Sequence, residues 1–166
     1  MKKPVVALFM LVASSGFAQQ QFTAEVKDKP DAPITILESH CIPSTPSRCH
    51  ATIKFSTSNE TWNGYSLLWT VTFEDGSQAV VRHTVDRTAS PTGLTKDFYK
   101  PGEVRDADAN FGKKNAQHKE LHPTKATVEV EFAVNTTGTV WGDAASSAYK
   151  EMVSQRKTAA AASTNR

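Results

Sequence analysis

Apolar and polar residues alternate with a period of two over much of this chain, which is the spacing of half-buried β-strands. In "YSLLWTVTF", Tyr65, Leu67, Trp69, Val71 and Phe73 fall on one face, while Ser66, Thr70 and Thr72 fall on the other and Leu68 breaks the pattern. In "ATVEVEFAV", Ala126, Val128, Val130, Phe132 and Val134 alternate with Thr127, Glu129, Glu131 and Ala133. Turn chemistry separates the runs. Asp-Gly in "EDGS" predicts a tight hairpin between Phe73 and a strand over about Gln78 to Val85,. "YKPGE" at Tyr99–Glu103 and "NTTG" at Asn135–Gly138 predict two further turns,. Between Asp86 and Pro123 the alternation weakens, and long loops with one or two short strands are expected. After Gly142 the period changes to 3.6. With Asp143 as N-cap, Ala145, Ala148, Tyr149, Met152 and Val153 form one stripe of a helix of about four turns, expected to pack on the strands,.

Six or seven short strands with closely spaced turns predict an antiparallel, immunoglobulin-like β-sandwich with a C-terminal helix. Trp69 in a central strand suits that architecture. The expected organisation is a signal peptide at 1–18, a polar leader at 19–32 that adds an edge strand, the sandwich with its helix at 33–157, and a flexible tail at 158–166. "MKKPVVALFMLVASSGFAQQ" supports the first assignment, with two lysines, a short apolar run and a small-residue cleavage site,. The run is too short to cross a bilayer and no other segment approaches that length, so a secreted or periplasmic location is expected.

Charge narrows the partners. The chain carries a formal +2, and both lysines of the expected signal leave with it, so the exported form is neutral. A nucleic-acid partner, which requires a basic face, is not expected.

Both cysteines lie in "SHCIPSTPSRCHA", each beside a histidine. Paired as a hairpin centred on Thr45, "PITILESH" and "CHATIKFS" set Cys41 against Cys49, His40 against His50, Ser39 against Ala51 and Leu37 against Ile53. Leu37, Cys41, Cys49, Ala51, Ile53 and Phe55 then point inward, and Glu38, His40, His50, Thr52 and Lys54 point outward. Cysteines and histidines on opposite faces cannot share one zinc ion. An oxidising compartment favours a Cys41–Cys49 disulfide of structural purpose instead. The outward Glu38, His40 and His50 remain a candidate site for a borderline metal such as zinc or copper.

Three further features carry candidate chemistry. "DADANFG" offers Asp106, Asp108 and Asn110 as a calcium loop, although Phe111 and Gln117 stand where such a loop needs glycine and glutamate,. His118 and His122 in "HKELH" read as a polar loop, and His83 as a hydrogen-bonded, semi-buried residue. Trp62, beside Asn63 and Gly64 in a turn, is the aromatic expected to be exposed as a ligand contact, its alternative being a residue tucked over the end of the core. "NET" at Asn59 and "NTT" at Asn135 match the glycosylation sequon. No nucleophile elbow or phosphate loop is present in the sequence. No cofactor and no enzymatic activity are expected.

The series "YSLLWTVTFEDGSQ", "YKPGE" and "VEVEFAVNTTGTVWG", followed by a helix, resembles small secreted bacterial immunoglobulin-like β-sandwich proteins of unassigned function, over about residues 50–157. "NTTGTVWG" keeps their closing Gly-Thr and Gly but lacks the aspartate before Gly138. The resemblance implies a fold and a compartment and transfers no active residues. The functional expectation is a non-catalytic binding or structural module that contacts protein or glycan through loops or a sheet edge. The alternative is a metal-binding extracytoplasmic protein using the histidine pair or the acidic loop.

Overall fold

A computed structural model of the protein describes residues 21–44, 46–90, 93–94 and 97–164. The expected signal peptide and Thr45 lie outside them. The elements in chain order are β1 (Phe22–Thr23), β2 (Glu25–Val26), β3 (Ile34–Ile42), β4 (Ser47–Phe55), β5 (Trp62–Phe73) and β6 (Gln78–Asp86). They continue with β7 (Ala89–Ser90), β8 (Gly93–Leu94), β9 (Val104–Phe111), β10 (Pro123–Asn135), β11 (Val140–Gly142) and α1 (Ser147–Thr164).

The fold is mainly β, with two principal sheets and one C-terminal helix. The first sheet has the order β1-β3-β4-β9 and the second β11-β10-β5-β6, with β2 pairing parallel to β10. The expected leader therefore contributes a short strand to each sheet. The inner faces share one core. Tyr65, Leu67, Trp69, Val71 and Phe73 of β5 are all at most 1% exposed, as their alternation predicts. Phe55 of the first sheet lies edge-on to Tyr65, and Phe111 edge-on to Phe73, so aromatic rings span the two layers,.

All three expected turns are present, and glycine supplies the left-handed residue in each: Gly76 at φ 79°, Gly102 at φ 74° and Gly138 at φ 88°,. Asn135 builds the last of them. Its Oδ1 accepts from the backbone N–H of Thr137 at 3.1 Å and of Thr139 at 2.8 Å.

Two of the register shifts in the sheets overturn the expected alternation. In β10 the register passes from Val130↔Leu67 to Phe132↔Ser66, which leaves Glu131 as an extra residue,. Past that point the parity reverses. Ala133 faces the core, whereas Phe132 and Val134, expected to face it, turn to the outer side and meet Ala148 and Met152 of α1. In β3 the register passes from Ile36↔Ile53 to Glu38↔Thr52. Leu37, expected inward opposite Ile53, is instead the bulged residue and 52% exposed, and Ile34 and Ile36 take the core positions.

The helix differs from expectation at both ends. Asp143 does not cap it; its Oδ1 accepts from the Ala145 N–H two residues on, and Ser146 is the N-cap, its Oγ accepting from the Tyr149 N–H at 3.2 Å,. At the other end α1 continues through Thr164, beyond the expected boundary at 157, because four consecutive alanines (159–162) are the best helix formers available,. Two polar contacts pin α1 to the second sheet. Arg156 donates to both carboxylate oxygens of Asp86, at 2.7 and 3.0 Å, and to Asn63 Oδ1 at 2.9 Å.

Candidate functional site

The hairpin β3–β4 positions the first group of site residues. Its pairing sets Cys41 against Cys49, His40 against His50 and Ser39 against Ala51, the expected register from Ser39 onward. Cys41 and Cys49 form a disulfide, fully buried under the first sheet. Glu38, His40 and His50 stand on the opposite, outer face.

The main departure lies in β9. "DADAN" is not a loop but the middle of an edge strand, so a calcium loop does not form at Asp106, Asp108 and Asn110. Successive outward side chains of a strand stand nearly 7 Å apart and run parallel, so they cannot wrap a cation as a loop does. Ala107 and Ala109 are the inward partners, nearly fully buried, and they pack against the core. The pairing of β9 with β4 sets Asp108 against His50 and Asp106 against Thr52. The two separate candidate sets thus meet on one face.

They interlock there. His50 Nδ1 lies 3.0 Å from Asp108 Oδ1, and His50 Nε2 lies 3.5 Å from Asp106 Oδ1. The Thr52 hydroxyl is 3.1 Å from Glu38 Oε1, 3.2 Å from Asp106 Oδ1 and 3.4 Å from His50 Nε2. Carrying one proton, it can donate to one of these acceptors at a time. The His40 ring lies beside that of His50, with centroids 5.0 Å apart. Among the described residues, no three His, Cys, Asp or Glu side chains are disposed to hold a metal ion as they lie.

Some carboxylates of the described residues are held by cationic side chains and those of this face are not. Glu25, Asp86, Asp97, Glu103, Glu129 and Glu131 each face a lysine or arginine. Among the described residues, Glu38, Asp106 and Asp108 have no such partner; their neighbours are Thr52 and His50. The basic residues of the same face, Arg48 and Lys54, are paired with Asn110 and Val104 at its two ends.

The remaining candidates fall elsewhere. Trp62 is 5% exposed and bridged to Tyr99, so it is tucked over the end of the core and is not an exposed contact. His83 is half-buried, as expected. Its Nδ1–H donates to the Asp108 carbonyl at 2.8 Å, and its Nε2 lies 3.4 Å from the Tyr65 hydroxyl. Burial pushes that hydroxyl's pKa well above the ordinary tyrosine range. His118 and His122 lie in the loop after β9, His118 at φ 59°, and share no helix face. Asn135 is committed to its turn, while Asn59 is exposed.

Sequence reasoning missed that β9 joins the histidine strand. The signal was present: aspartate and alanine alternate at period two. Both types are poor strand formers in isolation, and only burial of the small alanines reveals the strand. No protein-family profile, curated protein or solved structure matches the chain.

Proposed function

We propose that the protein is a secreted or periplasmic, non-catalytic binding module with an immunoglobulin-like β-sandwich fold, and that it contacts a protein or glycan through the outer face of its first sheet. One observation carries this reading. The outer face of the second sheet is partly covered by α1, whereas that of the first holds the network of Glu38, His40, His50, Thr52, Asp106 and Asp108 with carboxylates that lack cationic partners. Two sheets over one core with a buried central Trp69 support the sandwich type. The disulfide supports an oxidising compartment. Both cysteines are consumed by it, so neither is a thiol nucleophile.

The test compares immobilised wild-type protein with an Asp106→Lys/Asp108→Lys variant and with Val80→Lys, an exposed site on the other sheet. Each is challenged with the extracellular fraction of its source. The reading expects a stoichiometric species held by the wild type and by Val80→Lys, and lost from the double variant. Equal retention by all three proteins sinks it.

A second reading, metal binding, is favoured by the meeting of both candidate ligand sets around Thr52. It requires Glu38, Asp106 and His50 to turn from that hydroxyl toward a borderline divalent ion. Native mass spectrometry with zinc or copper decides: a stoichiometric adduct lost in His50→Ala supports it, and its absence removes it.

A further inference from the structure

The first sheet ends at β9, and the far side of this strand has no strand partner among the described residues, although β6 of the second sheet runs close beside it and reaches it through His83. β4 occupies one side through the continuous register from Ser47↔Phe111 to Lys54↔Val104. On the other side, among the described residues, no backbone pairs with β9. The Asp108 carbonyl points that way and accepts only the His83 imidazole N–H. With period two, the backbone groups of Asp106 and Asn110 point the same way. Apart from the Asp108 carbonyl, the backbone groups that point outward along this edge pair with no other strand among the described residues, and such an edge is a template for an added strand,.

Charge identifies what the edge accepts. A second copy pairing antiparallel about Ala107 would set Asp106 opposite Asp108 of the other copy, twice over. Like charges directly opposite one another are destabilising, so self-pairing in that register is disfavoured. The same geometry favours a strand whose outward residues are cationic, because neither aspartate has a lysine or arginine partner within the described chain. The inward residues of an added strand would continue the row of Ala107 and Ala109 and pass His83, which favours small or apolar side chains there.

Resting on the binding reading above, we propose that β9 captures an extended protein segment in which lysine or arginine alternates with apolar residues, adding it antiparallel as a fifth strand of the first sheet. The added strand's N–H would take the Asp108 carbonyl from His83. Its basic side chains would stand opposite Asp106 and Asp108 on the outer face.

Three synthetic octapeptides test this against the whole folded protein: one alternating Lys and Val, one alternating Glu and Val, and the Lys/Val peptide N-methylated at alternate amides on its β9-facing side. The readouts are affinity and amide hydrogen exchange at Asp106, Asp108 and Asn110. The expected result is saturable binding of the Lys/Val peptide with slowed exchange at those three amides. Binding should weaken about tenfold or more in Asp106→Lys/Asp108→Lys. The Glu/Val and N-methylated peptides should fail. Binding without amide protection, or binding that survives N-methylation, overturns strand addition while leaving the face as a contact surface. No binding of the Lys/Val peptide overturns it as well. Loss of natural-partner capture in the same double variant tests the underlying reading separately.

Discussion

At the level of single residues, the structure separates side chains that hold the fold from those that face outward with unmet charge. The Cys41–Cys49 bridge closes a short loop with a separation of eight residues, for which the chain-entropy model gives about 2.5 kcal/mol. A Cys41→Ala/Cys49→Ala variant should lose about that much in urea unfolding and stay folded. Two glycines of the β10–β11 hairpin separate backbone conformation from space. A Cβ on Gly138 meets nothing within 4 Å, so Gly138→Ala should cost only the left-handed penalty of about 1 kcal/mol,. A Cβ on Gly142 would lie 2.4 Å from the Glu131 carbonyl oxygen, at φ 90°. Gly142→Ala should therefore cost about 3 kcal/mol or more and displace the last strand, read as a lowered midpoint in the same titration.

Among the elements, α1 shows how a bulge makes an interface. The extra residue at Glu131 turns Phe132 and Val134 outward, and the helix lays Ala148 and Met152 over them. Glu131 itself is buried at the bulge and satisfied by Ser66 Oγ at 2.9 Å and Arg82 Nε at 3.0 Å. Phe132→Ala should cost about 3–4 kcal/mol by opening a cavity beneath Tyr149, whose ring stands edge-on 5.5 Å away,. Arg156→Ala should cost about 2 kcal/mol, since it leaves Asp86 buried without its bidentate partner. In both variants, hydrogen exchange should quicken in α1 before it does in β5.

For the molecule as a whole, acid is the expected point of weakness. Burial alone would raise the Asp86 carboxyl, but the Arg156 guanidinium and the Thr88 donors outweigh it and hold its pKa below the ordinary range. Glu103 is depressed in the same way, desolvation being outweighed by the Lys100 N–H and by Arg105 and Arg87. Folded values below unfolded ones mean that both groups stabilise fully above the unfolded carboxylate range. Their contribution is lost as pH falls through the lowered folded values. Unfolding free energy should therefore be level from pH 7 to about 5 and fall below about pH 4. The fall should be shallower in Arg156→Ala, which removes the main cause of the Asp86 shift.

Local pattern was enough to place β5, the three turns, the β3–β4 register from Ser39 onward, the disulfide and a C-terminal helix, because alternation, glycine conformation and ring closure act between near neighbours. It could not place Leu37, Phe132 or Val134, since one inserted residue reverses every side chain that follows and only pairing with another strand shows where the insertion is absorbed. Nor could it place Asp106 and Asp108 beside His50. More than fifty residues separate them in sequence, and that contact exists only because β9 returns to pair with β4, burying two alanines and leaving the aspartates outside.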